Sequence, residues 1–162
     1  MEIKGAYRIA ATRDQVWAAL NDPEILKKCL PGCEKLEREG DNAFTATIKT
    51  KVGPVSARFS GAVTLQDLDP PNAYRIVGEG KGGVAGFAKG GARVTLRDDA
   101  GATVLQYDAE AKVGGKLAQI GSRLILGTAR KLADDFFKKF SETVAPGTAA
   151  EKVALDAEGQ AS

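Results

Sequence analysis

Two thiols lie close together in the stretch CLPGC, and they are the first candidates for chemistry. Cys29 and Cys33 flank a segment containing Pro31-Gly32, which is longer than the two-residue spacing of a thioredoxin site. A four-ligand metal centre would need two more donors, and the sequence has no histidine to supply them. The lack of histidine also removes the usual general base and every Ser-His or Cys-His nucleophile pair. Asp108 and Glu110 fall on the outward side of an alternating strand pattern, away from any interior site. These residues argue against a conventional hydrolase or metalloenzyme and in favour of binding. Cys29 and Cys33 then read as small buried apolar residues where a helix hands over to a strand. Lys27 and Lys28 read as a solvated face and, beside a pocket mouth, as a contact for anionic lipid or an acidic partner.

The totals set the frame in which such residues must be held. A chain of 162 residues with 43% hydrophobic content is one domain with a sizeable core. The net charge is +2, with acidic and basic residues interspersed along the chain, too weak for a nucleic-acid grip. No stretch approaches the roughly 20 apolar residues that a bilayer crossing needs. The start MEIKGAYRIAATRDQVW carries folded-domain patterning and no apolar signal segment, so export is not expected.

Residues 2–10 alternate as a half-buried strand does. Thr12 and Gln15 form a capping box ahead of the stripe Val16, Trp17 and Leu20. Asp22-Pro23 reads as a cap and first-turn proline for a second short helix through Leu30, stopped by Pro31-Gly32. From Cys33 to Val113 the pattern is strands throughout. Turns fall at Gly53-Pro54, at Pro70-Pro71-Asn72 and between Asp98 and Gly101, making an antiparallel meander. One long helix is expected from about Lys116 to Val144, with Leu117, Ile120, Leu124, Leu132, Phe136 and Phe140 on its buried face. The fold class is therefore α+β. A curved antiparallel sheet of about seven strands, in the order β-α-α-β6-α, wraps around a long C-terminal helix. Residues 1–145 form the domain, and 146–162 form a tail that is disordered or at most a short docking segment.

Gly121 and Gly127 fall inside the expected helix, where each costs roughly 1 kcal/mol relative to alanine. Opposite them, alternation places Ala46, Ala57, Gly61, Gly78, Gly80, Ala109 and Ala111 on the inward face of the sheet. Two readings stand side by side. Either the small residues draw helix and sheet together, or they leave a cavity lined by Phe44, Ile48, Phe59, Ile76, Tyr107, Leu117, Ile120 and Leu124. The segment GEGKGGVAGFAKGGARV favours the cavity. Its glycines make it a flexible loop that carries Val84 and Phe87 as apolar tips, a lid or a membrane-touching edge. No Gly-Lys-Ser/Thr follows, so it is not a phosphate cradle.

The stretches VWAALNDPEILKKCLPGCEKLE, GEGKGGVAGFAKGGARVTL and GGKLAQIGSRLILGTARKLADDFFKKF together resemble the CoxG family of carbon monoxide dehydrogenase. That family lies within the START/Bet v 1-like (SRPBCC) helix-grip superfamily. The resemblance runs from residue 1 to about 145 on Trp17, Asp22-Pro23-Glu24, Leu30-Pro31-Gly32-Cys33-Glu34, Gly86-Phe87-Ala88 and Gly121-Ser122-Arg123-Leu124. Some relatives carry a longer hydrophobic C-terminal extension for membrane attachment, which this sequence does not show. The resemblance implies a non-catalytic accessory that recruits a molybdenum-containing carbon monoxide dehydrogenase, or a related hydroxylase, to the cytoplasmic membrane. It also implies binding of a respiratory quinone, menaquinone or ubiquinone, in the cytoplasm at the inner face of that membrane. A quinone needs a greasy groove with one or two donors for its carbonyls, and Tyr107 and Ser122 are candidates. Arg123 would face solvent or the enzyme. The expected ligand-binding set is Leu26, Leu30, Phe44, Ile48, Phe59, Ile76, Val84, Phe87, Tyr107, Leu117, Ile120, Gly121 and Leu124. Two rivals remain: an adaptor or assembly factor with a solid core, and a polyketide-cyclase-type enzyme with a polar cavity.

Overall fold

A computed structural model describes residues 1–161; Ser162, the last residue of the tail, lies outside the described residues. The chain opens with β1 (Glu2–Ile9), followed by the short helices α1 (Arg13–Leu20) and α2 (Pro23–Cys29). The Thr12 side chain accepts from Gln15 N while Gln15 Oε1 accepts from Thr12 N, so both halves of the capping box form. Asp22 Oδ1 accepts from Glu24 N at the start of α2, and Pro23 occupies its first turn. Six strands follow: β2 (Cys33–Arg38), β3 (Ala43–Val52), β4 (Val55–Asp69), β5 (Ala73–Lys81), β6 (Phe87–Asp99) and β7 (Ala102–Gly114). They pair antiparallel in sequence, and β1 closes on β7, giving the order β2-β3-β4-β5-β6-β7-β1. The sheet is curved and does not close into a barrel.

The expected single helix is two. α3 (Lys116–Ile120) ends at Gly121, whose φ of 98° and ψ of 147° are non-helical, and α4 (Ser122–Val144) begins there. Gly121 is thus a joint between helices and not a weak point within one. A left-handed φ is open to glycine without the clash that a Cβ brings, which is why this residue type stands at the joint.

The sheet also has more than the seven strands read from alternation. Residues Glu151–Lys152 form β8, which pairs with Tyr7 and Arg8 on the free edge of β1. Beyond it, Gln106 Nε2 donates to Gly159 O at 2.6 Å and Ala161 N donates to Gln106 Oε1 at 3.1 Å. Among the described residues, these contacts hold part of the tail along this edge of the sheet. The tail's composition conceals this, because small polar residues bind here through backbone pairing and not through an apolar face.

The solid core fills one half of the concave face. Ile9, Leu105, Val16 and Phe140 are wholly buried, with Tyr7, Leu65, Tyr74, Val94, Leu96 and Phe137 around them. Truncating a residue such as Phe140 to alanine costs about 3–5 kcal/mol in such a setting. This half is covered by α1, α2 and the C-terminal part of α4.

Candidate functional site

Cross-strand register defines what the concave face offers the helix. One inward row runs Tyr74, Val94, Tyr107, Gly5, and the next runs Leu65, Ile76, Ala92, Ala109, Ile3. Further toward the β3–β4 turn the rows become Phe44, Val63, Gly78, Gly90, Ala111 and then Ala46, Gly61, Gly80, Ala88, Val113. Side chains shrink along the sheet just where α4 runs toward its glycines. A Cβ added at Gly80 would meet nothing within 4 Å, whereas Gly127 is exposed on α4 and does not report on the interior. A Cβ at Gly61, Gly78 or Gly90 would instead meet the neighbouring strand at 2.5 Å or less. The open room therefore lies around Gly80 and between the sheet and the middle of α4, where Ala133, Phe136 and Phe137 stand.

That room is an apolar cavity of about 400 Å³, bounded by Leu26 and Leu30 of α2, Phe44, Ile48 and Ile76 of the sheet, and Tyr107. A second space of about 380 Å³ adjoins it, sharing Phe44, Ala46, Ile48, Val63, Ile76 and Ala92, and extends over Phe59, Gly61 and Gly80. Both lie in the range of small-molecule sites, and together they form a groove. Sheet residues along it, including Ile48, Phe59 and Ile76, are half-buried, so the groove opens to solvent.

The structure brings together Leu26, Leu30, Phe44, Ile48, Phe59, Ile76 and Tyr107 of the expected set. The other six stand apart from this lining. Leu117 is buried in α3. Ile120 Cγ2 and Leu124 Cδ1 lie 3.3 and 3.6 Å from a Cβ placed on Gly53, so the α3–α4 joint at Gly121 leans on the β3–β4 turn. Val84 is 85% exposed on a 3₁₀ turn, Gly83–Ala85. Phe87 falls on the strand parity of Lys89 and Gly91, opposite to Ala88 and Gly90, with its ring against Gly114. It belongs to the convex side and is not a tip over the groove. The glycine-rich segment is mostly paired strand, leaving only residues 82–86 as loop, and its glycines admit close neighbours. A Cβ on Gly82 would lie 2.5 Å from the Phe59 ring.

Alternation missed lining residues that come from elsewhere: Leu36 of β2 and Ala133 and Phe137 of α4. Leu36 was legible from its register with Ala46 once β2 and β3 are paired. Phe137 was hidden because its neighbour Phe136 occupies the expected helical stripe.

Tyr74 and Tyr107 are the polar side chains of the larger cavity's wall. Tyr107 is committed: its hydroxyl bonds with that of Tyr7, which donates to Asp134 Oδ1 at 2.5 Å, and Lys152 Nζ donates to Asp134 Oδ2 at 3.0 Å. Burial first, and then these partners, raise Tyr7 far above the ordinary tyrosine value. Burial pushes Asp134 up, but the Tyr7 bond and the Lys152 ammonium outweigh it and hold the carboxyl below its usual value. Tyr74 is raised by burial alone, and no group of the described residues bonds its hydroxyl. Ser122, the other candidate donor, is exposed at the head of α4 and lines neither space. Cys29 and Cys33 are free thiols raised by burial, which favours the protonated, unreactive form. Among the described residues no cluster of His, Cys, Asp or Glu is arranged to hold a metal ion.

Comparison with family models matches residues 5–145 to the CoxG component of carbon monoxide dehydrogenase. The chain belongs to the CoxG family. The resemblance carried by the Trp17, CLPGC and Gly121-Ser122 stretches is thereby confirmed, and the match ends where α4 ends. A solved structure of a conserved protein from Geobacillus kaustophilus is 32% identical, covers 94% of this chain and 99% of its own, and has a TM-score of 0.85. A Chromobacterium violaceum protein superimposes with a TM-score of 0.69 at 16% identity, covering 90% of this chain and 98% of its own. Ara h 8.0201 does so at 0.62 and 10% identity, covering 89% and 97%. These two share the fold alone, the Bet v 1-like helix grip. No curated protein matches this CoxG-family sequence. No helix among the described residues is long and apolar enough to cross a membrane.

Proposed function

We propose that this CoxG-family chain is a non-catalytic accessory that holds a respiratory quinone, menaquinone or ubiquinone, in the groove between α4 and the sheet. It serves a molybdenum-containing carbon monoxide dehydrogenase, or a related hydroxylase, by bringing that enzyme to the inner face of the cytoplasmic membrane. The observation that carries this reading is the apolar cavity of about 400 Å³ continuing into a second open space. Its wall is aliphatic and aromatic with two tyrosines, and no carboxylate, lysine or arginine side chain lines the larger space. Such a wall suits an isoprenoid chain with a weakly polar ring, while Glu79, Lys89 and Glu110 border only the second, open space.

The test is native mass spectrometry of the full chain after incubation with quinone-containing membranes. A retained quinone is expected, and Gly80→Leu, which projects a side chain into open groove, should abolish retention without unfolding the protein. If the wild type retains nothing while the dehydrogenase is still recruited, the protein is an adaptor and the carrier reading fails.

A further inference from the structure

The net charge of +2 conceals a separation of charge that only the fold creates. Antiparallel hairpins place the β3–β4 turn, the β5–β6 loop and the β7–α3–α4 junction at one end of the sheet. Over residues 51–55, 81–87 and 112–124 this end holds five cations, Lys51, Lys81, Lys112, Lys116 and Arg123, and no carboxylate. All five are exposed, and none makes an ion pair among the described residues. The carboxylates Glu79, Glu110 and Glu2, the last beside Glu110 in register, sit two residues back from this end, Glu79 and Glu110 on the same face as Lys81 and Lys112. Lys112 stands directly opposite Lys89 in register, and Lys89 in turn stands opposite Glu79 on β5. The far end is the reverse. Residues 39–42, 67–72 and 98–101 carry six carboxylates and no lysine or arginine, and Arg8 and Arg13 pair with Asp99 and Asp98 there.

The basic end also carries apolar tips. Val84 is 85% exposed, Leu124 53% and Phe87 43%, set among those cations. Leu124, with Ile120, stands at the β3–β4 turn, where the groove runs out between helix and sheet. Unpaired cations around protruding apolar side chains are the composition that binds an anionic bilayer, where charge attracts and the tips enter the headgroup boundary. An acidic protein surface would match the cations but would leave Val84 and Leu124 in contact with polar groups.

We infer that this end is a docking surface for anionic phospholipid, orienting the molecule with its groove facing the bilayer and its acidic end away. The inference assigns a surface to the membrane association proposed above, but it does not require that the groove be loaded. At about fivefold in partition per cation, the double variant Lys81→Gln/Lys116→Gln should bind some 25-fold more weakly.

The test is co-sedimentation of the full chain with phosphatidylcholine vesicles, with and without phosphatidylglycerol. Binding is expected only when phosphatidylglycerol is present and should weaken with salt. It should be lost in Lys81→Gln/Lys116→Gln and in Val84→Asp, and unchanged in Asp67→Asn at the acidic end. Equal binding to both vesicles, or full binding by the lysine variant, overturns the inference. So does a lysine variant that loses only its grip on the dehydrogenase while the wild type binds no vesicle. Quinone retention, read separately by mass spectrometry, reports on the carrier reading alone.

Discussion

The hydroxyl of Tyr7 donates to Asp134 Oδ1 at 2.5 Å, tying β1 to α4 across 127 positions of sequence. Lys152 of the tail reaches the other oxygen of the same carboxylate at 3.0 Å. One exposed-side acid thus joins the sheet, the helix and the docked tail. Tyr7→Phe and Asp134→Asn are each expected to cost about 1 kcal/mol, at the low end for a charged acceptor because Asp134 is partly solvated. For a chain of this size that lowers Tm by roughly 3 °C, and the double variant should lose little more than either single one. Fully additive losses, measured by thermal unfolding, would show that the pair is not coupled.

The same carboxylate predicts a direction for acid sensitivity. Its pKa in the folded state lies below the unfolded value, so the stabilisation is complete above about pH 4 and fades as pH falls through the folded value. Asp134→Asn should flatten the stability profile on that acid limb and leave it unchanged at neutral pH apart from a constant offset. A profile that keeps its acid slope in the variant would assign the slope to other groups.

At the alkaline end the sign reverses. The chain has three tyrosines, and Tyr7, Tyr74 and Tyr107 are all raised, each with burial as the first cause. A raised folded-state value means that folding holds the proton more tightly, so stability falls as pH climbs above about 10. Tyrosinate absorbance should therefore stay flat through pH 10 and rise only with cooperative unfolding. A tyrosine titrating at its ordinary value in the native protein would contradict the burial described for it.

Gly121 and Gly127 look alike in sequence and should behave oppositely when replaced by alanine. A Cβ at either position meets nothing within 4 Å, so packing does not separate them. The backbone does. Gly121 has φ 98°, and Gly121→Ala is expected to cost about 1–2 kcal/mol. Gly127 lies within α4, and Gly127→Ala should stabilise by about 0.5–1 kcal/mol. Urea unfolding of the two variants gives the comparison directly, and equal effects would place Gly121 inside a regular helix.

Tyr74 bounds the larger cavity with a hydroxyl that no described residue bonds. Tyr74→Phe is therefore expected to leave the stability of the empty protein unchanged or slightly raised. Affinity for a ligand with a carbonyl acceptor should fall about five- to tenfold, the worth of one hydrogen bond. Isothermal titration with a short-chain quinone measures this, and undiminished affinity would put the acceptor elsewhere.

Local rules made much of the fold readable. The Thr12–Gln15 capping box, the Asp22-Pro23 start, the Pro31-Gly32 stop and the alternation from Ala43 to Val113 each depend on residues a few positions apart, and each element forms as read. The inward residues Phe44, Ile48, Ile76 and Tyr107 followed from that alternation, and they do meet around one cavity. Leu36 and Phe137 did not follow, because their place in the wall depends on which strand pairs with β2 and how α4 is rotated.

What the sequence by itself determined is everything set by short-range geometry: caps, turns, strand parity and the small-residue rows that cannot fill space. Only the tertiary structure decided that those rows stay uncovered, because α3 and α4 turn at Gly121 and rest on the β3–β4 turn. It also decided where charge collects. Lysines and carboxylates that alternate along the chain are sorted to opposite ends because antiparallel strands send successive turns in opposite directions.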